Sequence, residues 1–433
     1  MRLCGVMAIL GLVCACLLAV PASGDVASTN WPTWRGPNAD GVALNGNPPL
    51  RWSETENIKW KIALPGSGDS TPVVWGDKMF LTTAVAVGQA SALQNSPPRP
   101  GVSYQFNLIC LDRHTGKVIW ERTVREAVPH EGHHPDSTLA SYSPITDGER
   151  VWVSFGSRGV HCYDLDGVHI WSADLMKLHT RNGFGEGSSP ALAGDAIVVV
   201  ADHEADSKIF AFHKDTGKLL WKKDRDEPTS WSTPIAVEVD GILQVISSAT
   251  NRVRSYDAKT GDLIWQCAGQ TLNCIPAPVI GFGKVFCASG YRGQALQAIE
   301  LGHTGDLSGT DAIAWEVNKD TPYVASPLLY DDRIYVTRGL GADISCYRAS
   351  TGKPLFVRQR LEGIRQIYAS PVGAAGRVYI AGRHGTIKVI KHSDTFEVLA
   401  TNVLDDAFDA SPVVIGDDLY LKGEKHLYCI SAH

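Results

Sequence analysis

The sequence predicts an all-β protein, an eight-bladed β-propeller built from four-stranded antiparallel blades. Three observations lead to this prediction. The 433-residue chain contains 42 glycines, 23 prolines and 12 tryptophans, a composition that favours many short strands joined by tight turns. A proline that opens an apolar segment recurs along the chain, and a Thr-Gly turn three residues before an aromatic residue recurs with it. Repeat periods in the low forties are typical of propeller blades.

Each predicted blade begins at one of these prolines, which usually follows Ser or Thr. The eight prolines are Pro72, Pro144, Pro190, Pro234, Pro278, Pro327, Pro371 and Pro412. One period holds four strands, as the fourth copy shows with "TPIAVE", "ILQVIS", "VRSYD" and "LIWQC". The first step is longer because it contains two insertions, residues 85–104 and 127–141. Eight markers therefore predict eight blades.

The last blade lacks a fourth strand of its own, because the chain ends soon after its third strand, "LYCI". The segment from Ile58 to Leu64, "IKWKIAL", matches the fourth strand of the first blade, which runs from Val118 to Val124. We therefore predict that this N-terminal strand closes the last blade and removes an exposed sheet edge. The propeller is predicted to span residues 58–433, after an extended segment over residues 25–57.

The Thr-Gly turn is predicted to join the third and fourth strands, where glycine supplies the positive φ of a tight hairpin. The aromatic residue then lies on the outer strand and packs between blades. This position holds Trp60, Trp120, Trp171, Trp221, Trp265 and Trp315, with Phe356 and Leu399 in blades six and seven. A position on the third strand holds only small residues, Cys110, Cys162, Cys346, Cys429, Ala211, Ser255 and Ala298, and is predicted to be buried.

Residues 1–24 have the pattern of a signal peptide. Arg2 precedes an apolar run from Leu3 to Val20, and "VPASG" provides the small residues of a cleavage site. We therefore expect a periplasmic or secreted, mostly monomeric protein. Lipidation of Cys16 is an alternative fate of this segment.

Charge and cysteine content limit the function further. The net charge is −6 and no Lys/Arg-rich tract occurs, so binding to nucleic acid is not expected. Seven of the ten cysteines would remain after cleavage, an odd number that argues against a full disulfide framework. Cys267 and Cys274 are the pair close enough in sequence for a local bridge.

These repeats resemble the tryptophan-docking repeat of quinoprotein alcohol dehydrogenases, Ala-x-Asp-x-x-Thr-Gly-Lys-x-x-Trp. Asp112, Thr115, Gly116, Lys117 and Trp120 match it, with Cys110 in the place of Ala. The resemblance covers residues 58–430, and "WPTWRGP" at Trp31 is similar to secreted PQQ-like propeller repeat proteins. It implies the propeller fold. Outer-membrane assembly lipoproteins with the same fold are non-catalytic scaffolds, so the fold alone does not decide the activity.

The resemblance also sets an expectation about cofactors. The dehydrogenases have a vicinal cysteine pair over pyrroloquinoline quinone (PQQ), a calcium ion held by Glu, Asn and Asp, and often a haem site. This sequence contains neither Cys-Cys nor Cys-x-x-Cys-His. We therefore expect no cofactor and favour a binding or scaffold module over an enzyme, without assigning catalytic residues. The alternative is a PQQ- and calcium-dependent dehydrogenase of alcohols or sugars.

Two sets of residues are predicted to face the central funnel, because the segment before the first strand and the turn between the second and third strands lie on one side of a blade. The first set is Asp69, Tyr142, Glu186, Trp231, Tyr323, Tyr368 and Asp409. The second set is Arg158, Arg252, Arg292, Arg338 and Arg383. Five guanidinium groups suit an anionic ligand, such as an acidic glycan or protein segment, and the rings offer stacking surfaces. Alternatively, each arginine pairs with an acid of its own or a neighbouring blade.

Two metal sites are conceivable from the sequence. Glu186, Asp202 and Glu204 offer oxygen ligands for calcium, but "ADHEADS" lacks a known calcium-loop spacing. His130, His133, His134 and Asp136 offer a tetrahedral set, although closely spaced histidines in a glycine-containing loop are more often solvated. We therefore predict no bound metal.

Overall fold

A computed structural model of the protein describes residues 29–88 and 101–432. Its strands form eight sheets, each with a four-stranded antiparallel core, which confirms the predicted eight-bladed all-β propeller. Two single-turn 3-10 helices, Gly156–Arg158 and Arg181–Gly183, lie in the connections. The predicted signal peptide and Cys16 lie outside the described residues. Within the described ranges, no helix has the length and apolar character needed to cross a membrane.

The four strands of each blade follow one another from the central channel to the outer rim. Blade one contains Val73–Trp75, Lys78–Ala86, Tyr104–Asp112 and Val118–Ala127, and blade two contains Ile145–Thr146, Arg150–Ser154, Val160–Asp164 and His169–Ala173. Blade three contains Ala191–Ala193, Ala196–Ala201, Lys208–His213 and Leu219–Asp224, and blade four contains Ile235–Val239, Ile242–Ser248, Arg252–Asp257 and Leu263–Ala268. Blade five contains Val279–Gly281, Lys284–Ser289, Ala295–Glu300 and Ile313–Val317, and blade six contains Leu328–Tyr330, Arg333–Thr337, Asp343–Arg348 and Pro354–Arg360. Blade seven contains Val372–Ala374, Arg377–Ala381, Thr386–Lys391 and Val398–Val403, and blade eight contains Val413–Ile415, Asp418–Lys422, His426–Ile430 and Ile58–Ala63.

The strand predicted to close the ring does so. Ile58–Ala63 pairs antiparallel with His426–Ile430, and Trp60 lies opposite Cys429. The prolines also mark the blades as predicted, because each inner strand begins at the residue after one of them, as Val73 follows Pro72. Pairing the first strand with the last blade leaves no unpaired edge at the junction.

The residue before each marker proline takes part in a ring of hydrogen bonds around the channel. At seven of the eight junctions, its backbone N–H donates to the side-chain hydroxyl of the equivalent residue in the next blade. These bonds run from Thr71 to Ser143, Ser143 to Ser189, Ser189 to Thr233, Ala277 to Ser326, Ser326 to Ser370, Ser370 to Ser411 and Ser411 to Thr71. Blade five has Ala277 at this position and offers no hydroxyl to Thr233. The Ser/Thr-Pro marker thus joins neighbouring blades.

Five of the outer-strand tryptophans dock on the glycine turn of the next blade, which is Thr-Gly in all but blade two. Trp171 Nε1 donates to the carbonyl oxygen of Lys214 at 2.7 Å. A Cβ added at Gly217 in the same turn would lie 2.6 Å from the Trp171 ring. Glycine is therefore required by the neighbouring ring as well as by its φ of +67°. The same arrangement joins Trp60 to Gly116, Trp120 to Gly167, Trp221 to Gly261 and Trp315 to Gly352.

Blades four and seven depart from this pattern. The insertion in blade five contributes Gly305–Asp306, which pairs parallel with the outer strand of blade four at Trp265 and covers that side chain. In blade seven the predicted position is wrong by one residue. Ala400, not Leu399, lies opposite the third strand, at Val389. Leu399 lies at the register shift beside this pair and is half-buried.

The repeated cysteines lie where the sequence predicted. Cys110, Cys162, Cys346 and Cys429 face Trp120, Trp171, Phe356 and Trp60 across the third and fourth strands, and all four are fully buried. Cys267 and Cys274 are free, so the local bridge left open by the sequence is not formed. Burial raises the pKa of the Cys110 thiol to about 12, so this thiol packs as an apolar group.

The segment before the first blade packs against the inner strands. Trp31 forms a two-way backbone bridge with Val74 of blade one. Val42–Ala43 then adds a parallel strand to the inner edge of blade seven. Between them the Arg35 guanidinium is buried and donates to the carbonyl oxygens of Pro327 and Pro371, both at 2.9 Å. Residues 29–43 therefore connect blades one, six and seven across the channel.

Candidate functional site

A cavity of about 350 Å³ opens at the centre of the ring, and we call it the central cavity. Its wall combines carboxylates, aromatic rings and hydroxyl groups. The carboxylates belong to Asp69, Asp136, Glu186 and Asp409, and the rings to Trp34, His134, Phe184, Trp231, Tyr291, Tyr323 and Tyr368. The hydroxyls belong to Thr71, Ser137, Ser141, Ser143, Ser189, Thr233, Ser370 and Ser411. Its volume falls within the range of small-molecule sites.

The first predicted set of residues does converge on this cavity. Six of its seven members line the wall, namely Asp69, Glu186, Trp231, Tyr323, Tyr368 and Asp409. Tyr142 lies beside the wall, in an adjoining small cavity, and its hydroxyl donates to Glu186 Oε2 at 3.1 Å. The position before each inner strand therefore faces the funnel, as the topology predicted.

The second predicted set, the five arginines, lies elsewhere. None of them lines the central cavity, and four make ion pairs with acids of the protein. Arg158 pairs with Glu186, Arg252 with Asp306, Arg338 with Asp320 and Asp343, and Arg383 with Asp409 and Asp136. Arg292 is exposed, has no acid partner among the described residues and lies 5.6 Å from the Tyr291 ring centre. Pairing, the alternative interpretation, thus accounts for four of the five side chains.

Glu186 is held by a full set of donors. Its oxygens accept from the Ser157 backbone N–H at 2.6 Å, from the Ser157 hydroxyl at 2.7 Å and from Arg158 Nη1 at 3.1 Å. Tyr142 adds the fourth donor. The side chain is 3% exposed, so the carboxylate is a fixed, charge-compensated part of the wall.

Arg383 joins two carboxylates of the wall. It donates to both oxygens of Asp409, at 2.8 and 2.9 Å, and its Nη1 lies 2.9 Å from Asp136 Oδ1. Tyr368 donates to Asp136 Oδ2 at 2.9 Å, and the guanidinium lies 4.2 Å from the Tyr368 ring centre. This cluster orients Tyr368 and links the 127–141 insertion to Arg383 and Tyr368 of blade seven.

Asp69 and Asp409 are adjacent acids with perturbed titration. Burial, together with the nearby charge of Asp69, raises the pKa of Asp409 to about 7. Burial also raises the pKa of Asp69, against the attraction of Lys422. The Lys422 amine donates to the carbonyl oxygen of Gly68, and burial lowers its pKa to about 8. The coupled pair can therefore retain one proton near neutral pH.

Several wall residues escaped the sequence reasoning. Tyr291 stacks on Tyr323 with ring centres 5.0 Å apart. Trp34 enters the wall from the N-terminal segment, and Phe184 enters from the connection between blades two and three, where His134 packs against it edge-on at 4.9 Å. The sequence drew attention to Arg292, which follows Tyr291, and to the "WPTWRGP" segment, which contains Trp34. No sequence signal indicated that the rings of Tyr291, Trp34 and Phe184 would lie in one wall.

The structure does not bring together either of the two sets of metal ligands that the sequence suggested. Both oxygens of Asp202 are held by Arg225, at 2.7 and 3.0 Å, so calcium would have to displace a buried guanidinium. His133 Nδ1 is 2.8 Å from the His134 carbonyl oxygen, and His134 packs on Phe184. Among the described residues, His130 groups instead with Glu131 and His179.

The residues present do not fit PQQ either. PQQ is a tricarboxylic acid with a planar ring system, whereas the described residues of the wall include four carboxylates and no arginine or lysine. The guanidinium groups of Arg158 and Arg383 are already bound to acids. No adjacent cysteines occur in the sequence to cover a quinone face.

The fold and the site define a class of protein, an eight-bladed propeller with tryptophan-docked blades and a central polar and aromatic cavity. The chain belongs to the family described as outer membrane protein assembly factor BamB, which it matches over residues 104–356. This places it among PQQ-like propellers, as the repeats had predicted.

Known proteins are similar over most of the chain. The outer membrane protein assembly factor BamB of Burkholderia pseudomallei is 24% identical over 325 residues, 71% of this chain and 75% of the relative. Tetrathionate hydrolase of Acidithiobacillus ferrooxidans is 24% identical over 365 residues, 78% of this chain and 67% of the relative. The crystal structure of quinohemoprotein alcohol dehydrogenase from Comamonas testosteroni shares the fold, with a TM-score of 0.65, 9% identity and coverage of 94% of this chain and 81% of that one.

Proposed function

We propose that this protein is an extracytoplasmic binding module, and that its central cavity binds a small neutral carbohydrate unit, free or at the end of a glycan. The observation that carries the proposal is the wall itself, in which aromatic rings alternate with fixed carboxylates and hydroxyls. Aromatic faces stack on the apolar faces of sugars, while carboxylates accept hydrogen bonds from sugar hydroxyls.

The charge of the wall favours a neutral ligand. Arg158 compensates Glu186, and Arg383 is shared by Asp136 and Asp409. Lys422 attracts Asp69, and Asp409 titrates near neutrality. The carboxylates are therefore oriented and nearly neutralised from behind, so the wall offers hydrogen-bond acceptors without a strong net charge.

The proposal is tested by calorimetry with neutral mono- and disaccharides on the wild type and on Trp231→Ala and Tyr323→Ala. Loss of a stacking ring should weaken binding at least about tenfold. Phe282→Ala, which removes an exposed ring outside the cavity, is the matched control and should bind like the wild type. Absence of binding by any neutral sugar, or equal binding by all the variants, would contradict the proposal.

An acidic glycan or acidic protein segment is the second candidate, and Arg292 is the observation that favours it. This guanidinium is exposed beside Tyr291 at the cavity and has no acid partner among the described residues. Acidic sugars in the same titration test it. Tighter binding of acidic than neutral sugars, lost in Arg292→Ala and at high salt, would replace the neutral-ligand proposal.

A PQQ-dependent oxidation of alcohols or sugars remains the enzyme alternative that the fold allows. Reconstitution with PQQ and calcium, followed by a dye-linked oxidation assay and an absorption spectrum, decides it. We expect neither a bound quinone band nor substrate-dependent dye reduction. Their appearance would make the protein a dehydrogenase.

The description of the family and of one relative as an outer membrane protein assembly factor supports the extracytoplasmic assignment and a protein partner. Fractionation of cells that express the full chain tests the location. Recovery of the mature protein from the cytoplasm would contradict it.

A further inference from the structure

A cluster of two histidines and a glutamate lies beside the central cavity, in the loops that precede blades two and three. It consists of His130, Glu131 and His179, whose potential ligand atoms all lie within 4.8 Å of one another. We call it the His–Glu cluster. The sequence reasoning missed it, because His179 is 48 residues from Glu131 and belongs to another loop.

Two of the three side chains are oriented by a second contact. His130 Nε2 lies 2.6 Å from the carbonyl oxygen of Leu178, an acceptor, so Nε2 carries the proton and Nδ1 keeps its lone pair. The Glu131 carboxylate accepts from the Thr180 hydroxyl at 2.6 Å and from its backbone N–H at 3.0 Å. Hydrogen bonding of the second imidazole nitrogen to a carbonyl is the usual arrangement of a metal-binding histidine.

The third ligand is fixed through its backbone. The His179 N–H donates to Nδ1 of the buried His203 at 3.2 Å, and the two rings lie 6.5 Å apart. The His179 and His130 rings meet edge to face, with centres 5.7 Å apart. His179 is exposed and the His130 side chain remains 18% exposed, so an ion and its water ligands can reach the cluster.

The donor set selects the kind of ion. Two imidazole nitrogens and one carboxylate oxygen suit zinc and its first-row neighbours, whereas calcium and magnesium prefer oxygen ligands alone. We propose that the His–Glu cluster binds one first-row transition-metal dication such as Zn²⁺, through His130 Nδ1, a Glu131 oxygen and a His179 nitrogen, with water at the open position.

Such an ion would crosslink two loops of the cavity wall. Glu131 also borders the small cavity that contains Glu186 and Tyr142, and His130 Nε2 lies 3.9 Å from Glu186 Oε1. Bound metal would therefore hold together the 127–141 insertion and the loop that carries Glu186. Because an ion that binds the folded state alone stabilises it by mass action, the melting temperature should rise with zinc concentration.

Zinc titration of the tag-free mature protein by calorimetry tests this site. We expect one zinc ion per chain, and at least about 100-fold weaker binding in His179→Ala and in Glu131→Gln, because loss of a ligand costs more than loss of a supporting contact. Glu131→Gln keeps an acceptor for Thr180 and so preserves the loop. His114→Ala is the matched control, since His114 is also exposed beside a carboxylate, Asp77 at 2.9 Å, but has no third ligand among the described residues.

A thermal unfolding series makes the test independent of any loss of stability in the variants. Zinc should raise the melting temperature of the wild type and of His114→Ala, and leave that of His179→Ala unchanged. Absence of stoichiometric zinc in the wild type would overturn the proposal. Equal zinc affinity in His179→Ala, or calcium binding as tight as zinc binding, would overturn it as well.

Discussion

Trp171 of blade two packs against Gly217 of blade three, so closely that a Cβ on the glycine would lie 2.6 Å from the ring atoms Cδ2 and Cε3. The indole N–H also donates to the carbonyl oxygen of Lys214 in the same turn. The Thr-Gly turn and the outer tryptophan are thus two halves of one contact between neighbouring blades. At five of the eight junctions, one blade supplies the tryptophan and the next blade supplies the glycine turn.

Replacing this glycine should therefore destabilise the propeller. We expect Gly217→Ala to lower the free energy of unfolding by about 2 kcal/mol or more, from strain at positive φ together with overpacking of the ring. Gly241→Ala separates the two effects, because Gly241 has φ +77° and open space around its Cβ position. Urea unfolding of both variants measures the difference. Equal destabilisation would show that the Trp171 contact contributes nothing.

Completing the hydroxyl ring should stabilise the protein. Ala277→Ser would offer an acceptor to the backbone N–H of Thr233 at the one junction that lacks it, and should add about 1 kcal/mol to the free energy of unfolding. The reciprocal change, Ser370→Ala, leaves the Ser326 N–H without its acceptor at 2.9 Å and should cost a similar amount. Chemical denaturation of the two variants checks both signs. A destabilised Ala277→Ser protein would contradict the interpretation of the ring as a joint between blades.

The acid pair makes stability depend on pH in a stated direction. Burial and Asp69 raise the pKa of Asp409 from its ordinary value of 3.8 to about 7, so the folded state keeps a proton that the unfolded state releases. The stability due to this proton is fully present below about pH 4 and is lost as the pH rises to about 7. Asp69→Asn should lower the pKa of Asp409 by removing the neighbouring negative charge.

Carbon-13 NMR of the aspartate carboxyl groups follows this titration directly. The Asp409 midpoint should lie near pH 7 in the wild type and at lower pH in Asp69→Asn. Asp262→Asn, a change at an exposed outer turn, should leave it in place. A midpoint near pH 4 in the wild type would refute the raised pKa of Asp409.

Arg35 should contribute much of the free energy that holds the N-terminal segment against the ring. Arg35→Met keeps the length of the side chain but leaves the carbonyl oxygens of Pro327 and Pro371 without donors, and should cost about 3 kcal/mol of unfolding free energy. Arg51→Met changes an exposed arginine of the same segment and should have little effect. Comparable melting temperatures of the two variants would show that the segment only lies against the ring.

The sequence by itself determined the number of blades, their boundaries and the closing strand. Periodic features that depend on local backbone geometry, such as the proline before each inner strand and the glycine of each outer turn, repeat at nearly constant spacing and can be counted. It also placed Asp69, Glu186, Trp231 and Tyr323 at the cavity, because the alternating direction of the strands in a blade fixes which connecting segments face the funnel.

The tertiary structure decided what these side chains contact. Whether Arg383 meets a ligand or Asp409 depends on the packing of blades seven and eight, and whether His130 has His179 as a neighbour depends on two loops far apart in sequence. Trp34 and Tyr291 join the wall for the same reason. Contacts made by side chains outside the repeated positions have no fixed sequence spacing, and only the folded ring brings these groups within a few ångströms of one another.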